Sequence, residues 1–201
     1  MAVRVSFLKK VFTFNFRART SRGLMKDKTS WFIRMEDDAH PGVFGLGECG
    51  PLPGLSPDLE GDYEQKLAGL VEQLNLSDIN RSDIDRVPDL VPPEYPSIVF
   101  GIETALRDLR GGGKRIIFTN TFIDGKPIPI NGLIWMGDMD FMMDQINKKI
   151  AQGFRCLKLK VGGLDFDREC DILSYIRRRY FRDDIVIRLD ANGAFRNDDV
   201  L

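Results

Sequence analysis

Histidine is nearly absent from this 201-residue chain: the single one, His40, lies in the turn-forming run Asp37-Asp38-Ala39-His40-Pro41-Gly42. Histidine triads and histidine-rich metal sites are therefore excluded within the chain, and His40 reads as a solvated loop residue. Cysteine is scarce too. Cys49, Cys156 and Cys170 are odd in number and show no C-x-x-C spacing, which speaks against a disulfide framework or a zinc site and for a reducing compartment, the cytoplasm. Long apolar runs are missing: Val5-Ser6-Phe7-Leu8 is interrupted at Lys9 and Lys10, so neither a secretion signal nor a membrane span is expected. Charge of one sign is missing as well. With 29 basic and 30 acidic residues the net charge is -1, which gives no global attraction to nucleic acid or anionic membrane and leaves small molecules as the expected partners. The glycine-containing stretches Gly162-Gly163 and Phe44-Gly45-Leu46-Gly47-Glu48 match neither a P-loop nor a dinucleotide fingerprint.

What remains is ordinary globular composition, 43% hydrophobic and 29% charged, enough for one domain or two small ones. Alternating β-branched and aromatic residues predict a long strand over 3–19, a hairpin loop over 20–28, and further strands over 30–35 and 43–50. The glycines of the last strand permit close approach by another backbone. Helical spacing predicts helices over 63–74 and from Pro96-Ser97 to the stop at Gly111-Gly112-Gly113, with a stretch over 75–93 between them that has little regular structure apart from a turn at Ile79–Ile84. Three strands followed by helices make an α+β unit. Beyond it the order changes. A small hairpin is expected around Arg115–Phe118 and the Asp124-Gly125 turn, then a strand over 128–135, a helix capped by Asp138 or Asp140, a strand carrying Lys158 and Lys160, a helix begun by Asp165, and a strand ending at Asp190. Asn197-Asp198-Asp199 resembles the start of another helix. The resulting β-α-β-α-β order fits a doubly wound sheet or the opening of a (β/α) barrel, and polar side chains on one strand face favour the barrel.

The segment Phe154–Asn192 carries the chemistry. Side chains alternate along a strand, so Lys158 and Lys160 share one face of Leu157-Lys158-Leu159-Lys160-Val161. Arg188 and Asp190 should face the same side from the next strand, so that a carboxylate closes on a lysine pair. Surface lysines on an exposed strand are the commoner arrangement, but a strand between two crossover helices should be interior. A lysine beside a second cation and away from water can serve as a general base or acid near neutral pH. The geometry suits metal-assisted proton transfer; a paired salt bridge produces it too. Cys156 shares the lysines' face and reads as a small filler.

These words, with Gly45-Leu46-Gly47-Glu48-Cys49-Gly50-Pro51, the helix Gly101–Leu109 and Asp190-Ala191-Asn192, occur in the order found in the enolase superfamily. The chain resembles its muconate-lactonizing branch. Thr20–Met25, Gly50–Ser56 and Pro129-Ile130-Asn131-Gly132-Leu133-Ile134-Trp135 look most like the o-succinylbenzoate synthase family of menaquinone biosynthesis. The resemblance implies a capping domain over 1–114 and, over 115–201, the first units of a TIM-like barrel that is incomplete, since such a barrel needs about eight strands. It implies a lyase that dehydrates a succinyl-substituted hydroxycyclohexadiene carboxylate, with Mg²⁺, or Mn²⁺, as cofactor. Lys160 would be the base, Lys158 its partner near the substrate carboxylate, and Asp190 a metal ligand. Ser21, Arg22, Met25, Asn131 and Asn192 would contact substrate, the 21–25 loop closing over it. The later metal ligands and the opposite lysine have no counterpart here, so the chain by itself is expected to be inactive and to self-associate through an open sheet edge. A dipeptide epimerase, an N-acylamino-acid racemase or a muconate cycloisomerase would share the two lysines and Asp190. A non-catalytic remnant is the reading from a different class.

Overall fold

The computed structural model describes residues 3–20, 23–196 and 198. The chain divides into two compact units: Met1–Thr13 with Asp27–Asp124, and Phe14–Lys26 with Gly125–Leu201.

A three-stranded sheet of order β1-β2-β3 is formed by β1 (Val3–Thr20), β2 (Gly23–Asp37) and β3 (Phe44–Cys49); residues 3–13, 27–37 and 44–49 of it lie in the first unit, and residues 14–20 and 23–26 in the second. β2 and β3 run antiparallel, Trp31 opposite Cys49 and Glu36 opposite Phe44. Alternation places Trp31, Ile33 and Met35 of β2 on the buried face. Against that face pack α1 (Tyr63–Leu76), the short α2 (Val87–Leu90) and α3 (Pro96–Arg110). The buried positions of α3, among them Ile98, Ile102, Ala105 and Leu109, follow the helical period.

Contact between α3 and β3 is backbone against backbone. A Cβ on Gly47 would collide with the carbonyl oxygen of Gly101 and lie 2.9 Å from the amide nitrogen of Ala105; a Cβ on Gly45 would lie 2.7 Å from the amide nitrogen of Leu109. Cys49 is fully buried beside Gly101, and burial pushes its thiol up to about 12. The buried Asp108 of α3 accepts from the amides of Leu46 and Arg115, at 2.9 and 2.7 Å, and pairs with the Arg115 guanidinium.

Three expectations are corrected here. The 20–28 stretch is not a long loop: β2 begins at Gly23. Its polar residues belong to the strand, where Lys28 is held by Ser30 Oγ at 2.6 Å and Glu48 Oε1 at 2.7 Å. No strand forms over 115–118. Arg115 has a left-handed φ of 62° and its side chain is drawn back to Asp108 and the Phe44 carbonyl, leaving Ile116, Ile117 and Phe118 exposed. Within 75–93 the expected turn at Ile79–Ile84 gives way to a 3-10 turn over Asp83–Arg86 that runs into α2.

The second unit holds a parallel sheet of order β4-β5-β6, from β4 (Gly132–Ile134), β5 (Cys156–Lys160) and β6 (Val186–Asp190). The expected 128–135 strand shrinks to β4. The crossovers are α4 (Met139–Ala151), capped by Asp138, and α5 (Phe166–Arg179), capped by Asp165. Leu157 and Leu159 of β5 pack with Ile146 and Ile150 of α4 and Ile172 and Ile176 of α5, so the opposite face of β5 is the one left for polar side chains. Of the helix start at Asn197–Asp199, Asn197 and Asp199 lie outside the described residues. Among the described residues no helix is long and apolar enough to cross a membrane.

Candidate active site

The register of the parallel sheet assembles the site. Lys158 lies beside Arg188 and Lys160 beside Asp190, and in-register neighbours on parallel strands project to the same face. Both lysines and the aspartate therefore meet where β5 and β6 end. Asp190 Oδ2 stands 2.8 Å from Lys158 Nζ and 2.9 Å from Lys160 Nζ. Asp190 Oδ1 accepts from the amide of Asn192 at 3.1 Å, and Lys160 also donates to Asn192 Oδ1. Asn192 reaches inward because its own backbone is left-handed, φ 49°, a conformation asparagine tolerates better than most residues. The side chains are partly open to solvent, 35% for Lys158, 22% for Lys160 and 24% for Asp190.

The two ammonium groups, Lys158 first and Lys160 second, hold the Asp190 carboxyl well below the usual carboxylate range. Because the folded-state value is depressed, this carboxylate's contribution to stability is fully present above its unfolded value of about 3.9 and is lost as the pH falls from there through the folded value. Urea unfolding should therefore show a stability gap between wild type and Asp190→Asn that is constant from neutral pH down to about 5 and shrinks below about 4. A gap that grows on acidification would contradict the pairing.

Of the other expected contacts, Met25 lies half-buried in β2, near the hairpin end. Asn131 precedes β4, at the opposite end of the sheet from Lys160 and Asp190. Ser21 and Arg22 lie outside the described residues. A cavity of about 660 Å³ is lined by Phe16, Leu24, Met136, Gly137 and Phe141, among others. One of its walls, Met136, also packs on Gly163, where a Cβ would meet the Met136 methyl group and lie 3.3 Å from its sulfur. The cavity wall thus touches the loop that follows the lysine strand.

Two side chains that hold the site have no signal in the sequence. Gln145 of α4 accepts from the amide of Trp135 at 2.9 Å and donates to its carbonyl at 3.0 Å, fixing the backbone just past β4. Glu169 of α5 grips the backbone just past β5. A glutamine or glutamate inside an amphipathic helix looks like any solvated position until the loop it reaches is known.

Magnesium binds through one or two protein carboxylates and fills its remaining positions with water and substrate oxygens. Asp190 offers one carboxylate, with Oδ2 already shared between two ammonium groups. Among the described residues no group of three or more His, Cys, Asp or Glu side chains could hold a metal. The described residues offer one carboxylate and do not form a magnesium site by themselves.

No family model matches the chain. It is 37% identical to the o-succinylbenzoate synthase of Desulfotalea psychrophila over 96% of this chain and 58% of that one. The crystal structure of MenC from the same organism superposes with a TM-score of 0.78 and 34% identity, over 98% of this chain and 58% of that chain. By sequence and fold the chain belongs to the enolase superfamily. Its three-stranded sheet with helices and the following parallel strands are that superfamily's capping region and the opening of its barrel. An o-succinylbenzoate synthase from Thermosynechococcus elongatus, complexed with Mg in the active site, shares the fold with a TM-score of 0.70 and 23% identity, over 98% of this chain and 54% of that chain. A dipeptide epimerase from Enterococcus faecalis, complexed with Mg and a dipeptide, shares it with a TM-score of 0.81 and 20% identity, over 99% and 56%. The chain spans little more than half the length of these relatives.

Proposed function

We propose that this chain carries the proton-transfer half of an o-succinylbenzoate synthase, which converts a succinyl-substituted hydroxycyclohexadiene carboxylate into the aromatic o-succinylbenzoate on the way to menaquinone. The observation that carries the reading is the Lys158–Asp190–Lys160 cluster at the ends of β5 and β6, in a chain 37% identical to such a synthase.

In this reading Lys160 Nζ takes the proton from the carbon α to the substrate carboxylate, and the same ammonium returns it to the departing hydroxide on the same face. One C–H and one C–O bond break, a ring double bond forms, and water leaves. Lys158 lies against the substrate carboxylate, offsetting its charge. The cavity lined by Leu24, Met136 and Phe141 takes the apolar ring and excludes water as the hairpin end closes over it. A lysine base with Mg²⁺ stabilising the enediolate is the general chemistry of the enolase superfamily; of the residues described, Asp190 would be one ligand of that ion. The remaining ligands would come from outside the described residues. Calorimetric titration of the 201-residue chain with Mg²⁺ is accordingly expected to show no saturation at millimolar metal, and tight stoichiometric binding would overturn that statement.

The second reading is a dipeptide epimerase, favoured by the fold match to the Enterococcus faecalis enzyme. Assaying the full-length protein with the cyclohexadiene carboxylate and with L,L-dipeptides separates the two. Aromatic product in the first assay is the expected result. Epimerised dipeptide without aromatic product would favour the alternative.

A further inference from the structure

Glu169 lies one turn into α5, buried at 7% exposure. Its Oε1 accepts from the amides of Gly162 at 2.8 Å, Gly163 at 3.1 Å and Leu164 at 3.1 Å, and its Oε2 accepts from Gly162 at 3.0 Å. Three successive amides converging on one carboxylate form an anion-binding nest closed by the chain's own side chain. The helix does not need this carboxylate: Asp165 already caps α5, and Asp167 places further negative charge in its first turn. A buried carboxylate requires full hydrogen bonding to be tolerated, and here that bonding is spent on a loop outside the helix.

The loop is the one that leaves the lysine strand. Val161, next to Lys160, donates to the Asp190 carbonyl at 3.1 Å, so the backbone after Lys160 is held by β6 on one side and by Glu169 on the other. Gly162 has a φ of 86°, and a Cβ there would collide with the Ala194 methyl group. The gripped loop therefore rests on the turn that carries Asn192, a direct partner of Lys160.

We propose that Glu169 is a positioning residue for Lys160: by clamping the amides of residues 162–164 it fixes the direction in which the Lys160 ammonium projects. The inference rests on the reading of Lys160 as the base. Its test compares Glu169→Ala and Glu169→Gln in the full-length protein with the cyclohexadiene carboxylate as substrate, each rate counted per folded molecule. A misplacement of about 1 Å costs on the order of a hundredfold in rate, so Glu169→Ala should lose about that factor in kcat. Glu169→Gln, which keeps one acceptor oxygen, should lose less than Glu169→Ala, with KM nearly unchanged in both. An unchanged kcat per folded molecule, or a loss confined to KM, would overturn the proposal. Should Glu169→Ala fail to fold, the split between kcat and KM in Glu169→Gln decides.

A second measurement does not depend on turnover. In the ¹⁵N,¹³C-labelled 201-residue chain, Glu169→Gln should accelerate amide exchange at residues 162–164 and move the Lys160 ¹³Cε resonance. An unmoved Lys160 resonance overturns the positioning role even if the wild type is active. A moved resonance in a protein that dehydrates nothing would sink the functional reading and leave the clamp standing.

Discussion

Replacing Gly47 with alanine should lower the stability of the first unit by about 3 kcal/mol or more, the upper end of what overpacking costs. The side chain of an alanine at 47 would enter the Gly101 carbonyl oxygen and come 2.8 Å from the Gly101 carbonyl carbon. Neither is the free end of a flexible side chain, so relief requires α3 to lift from β3 and open the core around Ile98, Ile102 and Ala105. Gly69→Ala is the matched control. Gly69 lies exposed within α1 with nothing near its missing Cβ, and alanine there should stabilise by about 0.5–1 kcal/mol. Urea unfolding followed by far-ultraviolet circular dichroism reads both. A Gly47→Ala midpoint equal to wild type would show that β3 and α3 do not meet through their backbones.

Lys160→Ala in the full-length protein should lower kcat by about 10²–10⁴, the range for loss of a general acid–base group. Folding should survive, because Lys158 remains 2.8 Å from Asp190 Oδ2 and keeps that carboxylate paired. KM should change little if Lys158 rather than Lys160 faces the substrate carboxylate. Lys158→Ala should show the opposite balance, with a larger rise in KM. Steady-state dehydration rates for the two variants check the division of labour; equal losses in both parameters for both variants would contradict it.

Much of this site was readable in the residues themselves. Period-two alternation puts Lys158 and Lys160 on one face of β5 and Arg188 and Asp190 on one face of β6; the register that sets Lys160 beside Asp190 is a property of the sheet that alternation does not carry. Gly45 and Gly47 likewise announced a close backbone approach in β3, and α3 makes it. The start of β2 was hidden because Lys26-Asp27-Lys28 has the composition of a loop, whereas membership of a sheet depends on a neighbouring strand that local composition does not reveal. The apolar run Ile116–Phe118 suggested a strand that does not form, since Arg115 is diverted to Asp108 and a strand without a partner has no ladder to join. Glu169 and Gln145 act on loops outside their own helices, which periodicity within a helix cannot reveal.

As the base of the proposed synthase, Lys160 moves a proton rather than only balancing Asp190. Lys160→Arg separates the two roles, because a guanidinium keeps the positive charge beside the carboxylate yet does not give up its proton. The measurement is dehydration of the succinyl-hydroxycyclohexadiene carboxylate by the folded full-length Lys160→Arg protein. The expected result is an unfolding midpoint close to wild type with turnover reduced to the level of Lys160→Ala. Turnover restored toward wild type would show that positive charge at residue 160 is sufficient and that the base lies elsewhere.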